Sequence, residues 1–68
     1  MADFASFYEE FIERLKRDRM MFVSEIVALG NMHGLSEPQV QRVIAQAVSS
    51  GLGFLEASFI YVKVPDNR

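Results

Sequence analysis

The sequence predicts a small α+β fold in which three helices are followed by a C-terminal two-stranded β-hairpin. Up to residue 50, apolar residues recur at steps of three and four, the spacing of amphipathic helices. Beyond Gly51, β-branched and aromatic residues dominate, and these favour strands. At 68 residues the chain forms at most one domain, so we expect a single domain over residues 1–68.

The third helix, predicted at about residues 37–50, has the clearest signals. Ser36 can cap its start, and Gln39 can return the hydrogen bond in a capping box. Pro38 suits the first turn, where its missing N–H has no intrahelical partner to lose. Gly51 follows as a C-terminal stop. The predicted buried face consists of Val40, Val43, Ile44, Ala47 and Val48.

The first helix is predicted at about residues 3–18, with Asp3 as its cap. Its apolar stripe is rich in aromatic residues and comprises Phe4, Phe7, Tyr8, Phe11, Ile12 and Leu15. Such a stripe is either the core of the chain itself or a seam with helix 1 of a second subunit. Because so small a domain has limited means to cover this area, we expect both uses. The predicted homodimer interface comprises Phe4, Phe7, Tyr8 and Phe11.

The charges of helix 1 are segregated, with acids early and the basic residues Arg14, Lys16, Arg17 and Arg19 late. This order suits the helix dipole, which is the favoured interpretation. The alternative is that the 14–19 cluster contacts phosphate.

A second helix is predicted at about residues 22–31, where a broad apolar side would be buried. Gly34 is the expected positive-φ residue of the following turn. Strands are predicted at about 52–56 and 59–64, so the hairpin spans about 52–64 with its turn near residues 57–58.

Composition limits the classes of function. A net charge of −2 argues against a protein that coats nucleic acid by bulk electrostatics. The apolar runs are too short to span a membrane, and the acidic N-terminus is unlike a signal peptide, so we expect a cytoplasmic protein with no membrane partner. There are no cysteines, which excludes disulfides and thiol-based zinc sites. We expect neither a metal nor a cofactor.

His33 is the one histidine, and it could contact phosphate, sense pH or ligate a metal. The favoured interpretation is a turn histidine with a satisfied hydrogen bond. The serines have only His33 as a candidate base, and none lies in a nucleophile-elbow pattern. We therefore expect that the protein is not an enzyme.

Residues 25–55 resemble the winged helix-turn-helix pattern. An apolar second helix ends in a Gly-containing turn, Leu35-Ser36 opens the third helix, Val40 and Arg42 follow, and Gly51-Leu52 leads into the wing. The resemblance implies that the third helix enters the major groove of double-stranded DNA. It implies base contacts from Gln39, Gln41, Arg42 and Gln46, and backbone contacts from Ser36 and Lys63.

The leading expectation is a small dimeric, sequence-specific DNA-binding protein, a transcriptional regulator of plasmid or phage type. Arg42 could bind guanine and a glutamine could bind adenine, each bidentate pair giving ~1–3 kcal/mol of discrimination. A single arginine on the third helix would supply little affinity for DNA. The alternative is therefore a winged-helix protein–protein interaction module, either an assembly subunit or a small inhibitor, that does not bind DNA.

Overall fold

A computed structural model describes residues 3–56 and 61–64, and these form three helices and a three-stranded antiparallel sheet. In chain order the elements are α1 (Phe4–Asp18), β1 (Met20–Phe22), α2 (Val23–Met32), α3 (Glu37–Ser49), β2 (Phe54–Glu56) and β3 (Tyr61–Lys63). Each predicted helix is present, within one residue of its predicted ends.

Helix α1 begins and ends with local hydrogen bonds. The carboxylate of Asp3 accepts a hydrogen bond from Ser6 N at 3.1 Å, as expected of an N-cap. At the other end Arg19 adopts a left-handed conformation, with φ of 71°, and its N–H donates to Leu15 O at 2.8 Å. This conformation turns the chain directly into β1.

Helices α2 and α3 end in the same way, each with a glycine at positive φ. After α3, Gly51 has φ of 82°, and the N–H of Leu52 reaches back to Ala47 O at 3.0 Å. After α2, Gly34 has φ of 85°, and the N–H of Leu35 reaches Gly30 O at 2.9 Å. Both are Schellman motifs, in which a hydrogen bond to the last turn satisfies a terminal carbonyl. The predicted roles of both glycines are confirmed.

The sheet contains a strand that the sequence did not predict. Its order is β1-β3-β2, so β3 lies in the middle and pairs antiparallel with both neighbours. Residues 20–22 form β1, whereas the sequence predicted no strand there and a start of helix 2 at about Phe22. The predicted turn near residues 57–58 lies outside the described residues, as do residues 59 and 60.

The core lies between the helices and the inner face of the sheet. It comprises Phe7, Phe11, Leu15, Met21, Ile26, Leu29, Leu35, Val40, Val43, Ile44, Ala47 and Val62. Gly30 of α2 is buried and packs against Val40 of α3. The core therefore holds α3 by one face and leaves its opposite face at the surface.

Candidate nucleic-acid interface

The candidate site is the exposed face of α3 together with the clefts on its two sides. Opposite the buried stripe, an exposed strip is formed by Pro38, Arg42, Ala45 and Ser49. A cleft of about 400 Å³ lies on the α1 side and is lined by Phe4, Gln39, Arg42, Val43, Ala45 and Gln46. A cleft of about 240 Å³ lies on the sheet side and is lined by Val23, Gln41, Ile44, Ala45 and Leu55. Five of the six predicted DNA-binding residues lie on α3 or at its cap.

Gln39 and Ser36 are occupied with capping α3. Gln39 Oε1 accepts a hydrogen bond from Ser36 N at 2.8 Å, and it lies 3.2 Å from Ser36 Oγ. A glutamine that binds adenine bidentately needs this same oxygen to accept from the base. Gln39 could therefore read a base only by releasing the helix cap, so the two roles predicted for this side chain compete.

Gln41 also has a partner within the helix. Its Nε2 donates to Glu37 Oε2 at 3.2 Å, one turn earlier. This contact places an amide and a carboxylate together on the side of α3 that faces Leu55. The negative charge of Glu37 opposes the approach of phosphate there.

Arg42 and Gln46 differ from these residues. Both are exposed, both line the 400 Å³ cleft, and neither has a side-chain hydrogen bond or ion pair within the described residues. They lie four residues apart, on adjacent turns of the same helix face. Of the predicted base-reading residues, these two have their donors and acceptors available to a ligand.

Lys63 lies on a different face of the molecule. It follows Val62 in β3, and Val62 is fully buried on the inner face of the sheet. Because side chains alternate along a strand, Lys63 projects from the outer face, away from the helices. The structure therefore does not bring Lys63 together with Arg42 and Gln46.

The basic cluster of α1 is also remote and partly neutralised. Arg17 lies thirteen positions from Phe4, which is about 20 Å along the helix. Its Nε pairs with Asp18 Oδ1 at 3.1 Å, while Arg14 pairs with Glu10 Oε2 at 2.8 Å. Since Phe4 marks the end of α1 beside α3, this cluster does not extend the α3 face within one chain.

Two of the four residues predicted for the dimer interface are core residues of the single chain, which is one of the two uses expected of this stripe. Phe7 and Phe11 have no exposed surface, and their rings stack with centroids 5.8 Å apart. Phe4 and Tyr8 are 47% and 42% exposed, so they remain available. The spacing of three and four residues identified the apolar stripe of α1, but it could not show which of its members are buried and which are exposed.

His33 follows the last residue of α2, and its side chain forms a hydrogen bond with a residue of α1. Its Nε2 lies 3.1 Å from Glu10 Oε1, and its carbonyl accepts a hydrogen bond from Asp3 N at 3.0 Å. The bond from His33, followed by the nearby charge of Arg14, lowers the pKa of Glu10 below its ordinary value of 4.5. The prediction of a turn histidine with a satisfied hydrogen bond is confirmed.

The structure also reveals exposed apolar residues beside α3 and on the sheet, of which the sequence assigned only Phe4 to a site, the dimer interface. Phe4 and Leu55 stand on opposite sides of α3, 47% and 49% exposed. On the outer face of the sheet, Met20, Phe22 and Phe54 are each about 40% exposed. Only the fold shows which members of an apolar run stay at the surface, so these sites had no clear signal in the sequence.

Within residues 3–56 and 61–64, no helix combines the length and the apolar character that crossing a bilayer would need. Comparisons with models of protein families, with curated proteins and with solved structures found no match.

Proposed function

We propose that this protein is a winged-helix DNA-binding protein that reads duplex DNA with α3. The observation that carries the proposal is the pair Arg42 and Gln46, exposed in one cleft with their polar atoms available. The order helix, strand, helix, helix, strand, strand supports it, because this order presents the third helix beside a two-stranded wing.

In this proposal α3 lies in the major groove. The planar guanidinium of Arg42 donates two hydrogen bonds to O6 and N7 of guanine, and the amide of Gln46 pairs with N6 and N7 of adenine. The buried face of α3 holds its backbone against α2 and the sheet, so both side chains start from a fixed surface. In this proposal Gln39 and Gln41 keep their hydrogen bonds within α3 and do not read a base; they only form part of the surface that fits the groove.

Binding by one chain would be weak, because phosphate contacts supply most of the affinity of DNA-binding proteins. Arg14 and Arg17 are paired with acids, and Lys63 lies on the outer sheet face. We therefore propose a homodimer that places two α3 helices on two half-sites. The outer sheet face, where Met20, Phe22 and Phe54 are each about 40% exposed, is the apolar surface proposed for this association.

The test is selection of binding sites from a random duplex pool at low salt, followed by titration of the recovered duplex. Arg42→Ala should weaken binding by about tenfold or more, since a bidentate pair gives ~1–3 kcal/mol. Arg17→Ala is the matched control, because it removes an arginine of α1 that is paired with Asp18. Recovery of no duplex, or equal binding by the Arg42 variant, would overturn the proposal.

A second candidate is an assembly subunit that contacts protein through the outer sheet face and does not bind DNA. Met20, Phe22 and Phe54 favour it, since together they expose apolar surface around Lys63. The occupant proposed for this face is a second copy of the chain. Sedimentation equilibrium should then show a dimer that Phe22→Ser dissociates, while the duplex selection stays empty. A monomer at micromolar concentration would exclude this candidate.

A further inference from the structure

Apolar side chains lie beside Arg42 and Gln46 on the α3 face. Ala45 is exposed three residues after Arg42 and lines both clefts. Phe4 borders the cleft on the α1 side, and Leu55 borders the one on the sheet side. The face therefore presents one guanidinium and one amide without a partner among the described residues, Arg42 and Gln46, with apolar side chains beside them.

Each of these groups matches one feature of a base edge in the major groove. Arginine matches guanine, and glutamine matches adenine. Alanine and phenylalanine match the C5-methyl group of thymine, the one apolar feature that a base edge presents there. Building on the proposed DNA-binding function, we propose that Ala45 and Phe4 make α3 a reader of thymine methyl groups beside the guanine bound by Arg42.

The charges of the cleft are consistent with a nucleic-acid ligand. Among the described residues that line the 400 Å³ cleft, Arg42 is the one charged residue, so this part of the lining has a positive charge and no carboxylate. Glu37 lies at the start of α3, and its carboxylate accepts a hydrogen bond from Gln41 on the other side of the helix. An electronegative base edge is thus attracted to the Phe4 side of α3.

The spacing on the helix sets the spacing of the bases. Residues three apart on a helix have Cβ atoms about 5–6 Å apart. Successive bases on one strand are about 3.4 Å apart along the duplex axis. A methyl group contacted by Ala45 therefore belongs to a thymine one or two base pairs from the guanine of Arg42. The recovered half-site should contain a guanine with a thymine at that distance.

The experiment replaces each thymine of the selected duplex by deoxyuridine, which removes the methyl group and leaves base pairing intact. The wild-type protein should lose about fourfold in affinity for each contacted methyl, the value of one buried carbon group. Phe4→Ala should bind the thymine and deoxyuridine duplexes equally at the position next to Phe4. Phe4→Leu, which keeps an apolar side chain, should retain the discrimination.

Tyr8→Ala is the matched control, since Tyr8 is an equally exposed aromatic residue of α1 that does not line the cleft. It should discriminate as the wild type does. If a duplex is selected but deoxyuridine binds as well as thymine everywhere, methyl reading is overturned and DNA binding stands. If Tyr8→Ala loses the discrimination as Phe4→Ala does, the assignment to Phe4 is overturned. If no duplex is selected, both proposals fail.

Discussion

Replacing Gly30 by alanine should destabilise the protein, although alanine is the better helix former. Gly30 lies near the end of α2, where a glycine normally costs ~0.5–1 kcal/mol relative to alanine. A Cβ atom added there would lie less than 3.0 Å from Val40 Cγ2 and 3.5 Å from Phe7 Cε1. Two opposed effects therefore act at one position, and the packing effect is the larger.

The magnitude follows from the stiffness of the neighbour. A β-branched side chain in a helix strongly prefers one χ1 rotamer, so Val40 cannot swing aside without strain. Overpacking of a core costs about 1–3 kcal/mol. Because the added Cβ would lie less than 3.0 Å from Val40 Cγ2, we expect the upper part of this range, about 2–3 kcal/mol, and hence a net loss of about 1–2 kcal/mol after the gain of ~1 kcal/mol in helix propensity. In a domain of this size that lowers the melting temperature by roughly 5–15 °C.

Urea unfolding followed by far-UV circular dichroism measures this loss, with an unchanged m-value as the sign that the denatured state is the same. A double-mutant cycle with Val40→Ala isolates the cause, because that variant removes the methyl group that a new Cβ would meet. The double variant should lose about 1 kcal/mol less than the sum of the single losses. A stabilised Gly30→Ala, or strictly additive losses, would refute the packing argument.

Three further predictions concern the helix end, acid stability and salt. Gly51→Ala should lower the free energy of unfolding in urea by about 1–2 kcal/mol, because a residue with a Cβ is strained at φ of 82°. The added Cβ would contact nothing within 4 Å, so the strain comes from the backbone alone, and Gly51→Asn should cost less. The pKa of Glu10 is lowered in the folded state, so its contribution to stability is present above pH 4.5 and is lost as the pH falls through the lowered pKa. Glu10→Gln should therefore reduce the change of the urea midpoint with pH over this range. Binding of the selected duplex should depend weakly on salt, with a logarithmic slope near −2 if each chain of a dimer contacts one phosphate.

Each of these has an outcome that would contradict it. Equal stability of the alanine and asparagine variants at Gly51 would remove the backbone explanation. For the acid effect, His33→Ala removes the hydrogen-bond partner that does most to lower the pKa of Glu10 and leaves the Arg14 ion pair, so it should reduce the change of the urea midpoint with pH. A His33 variant with the wild-type profile would contradict the assigned cause. A salt slope of about −6 would show an extensive phosphate contact surface, which the placement of Arg14 and Arg17 opposes.

The helices could be predicted from the sequence because their signals are local. Asp3 and Ser36 lie one residue before α1 and α3, and Gly34 and Gly51 follow the ends of α2 and α3. Strand β1 could not be predicted in this way. A three-residue strand is too short to show a period of two, and its partner lies about forty residues later in the chain.

The candidate site was predictable in its location and less so in its chemistry. The exposed face of α3, with Arg42 and Gln46, follows from helical periodicity alone. The sequence also contained the conflict at Gln39, since a capping glutamine has already committed its carbonyl oxygen. The pairing of Glu10 with Arg14 is the i,i+4 spacing of a helix salt bridge and could have been anticipated. The positions of Phe4 and Leu55 beside α3 depend on tertiary packing and could not.

The central position of β3 has a consequence for how the protein folds during synthesis. Strand β1 is made early and β2 later, yet each forms its described ladder with residues 61–63. Until those residues leave the ribosome, neither strand has its sheet partner and Val62 is missing from the core. The helices can form as they emerge, since their contacts are local. We therefore expect both ladders of the sheet to assemble in one step once residues 61–63 are available, which links the stability of the domain to these three residues.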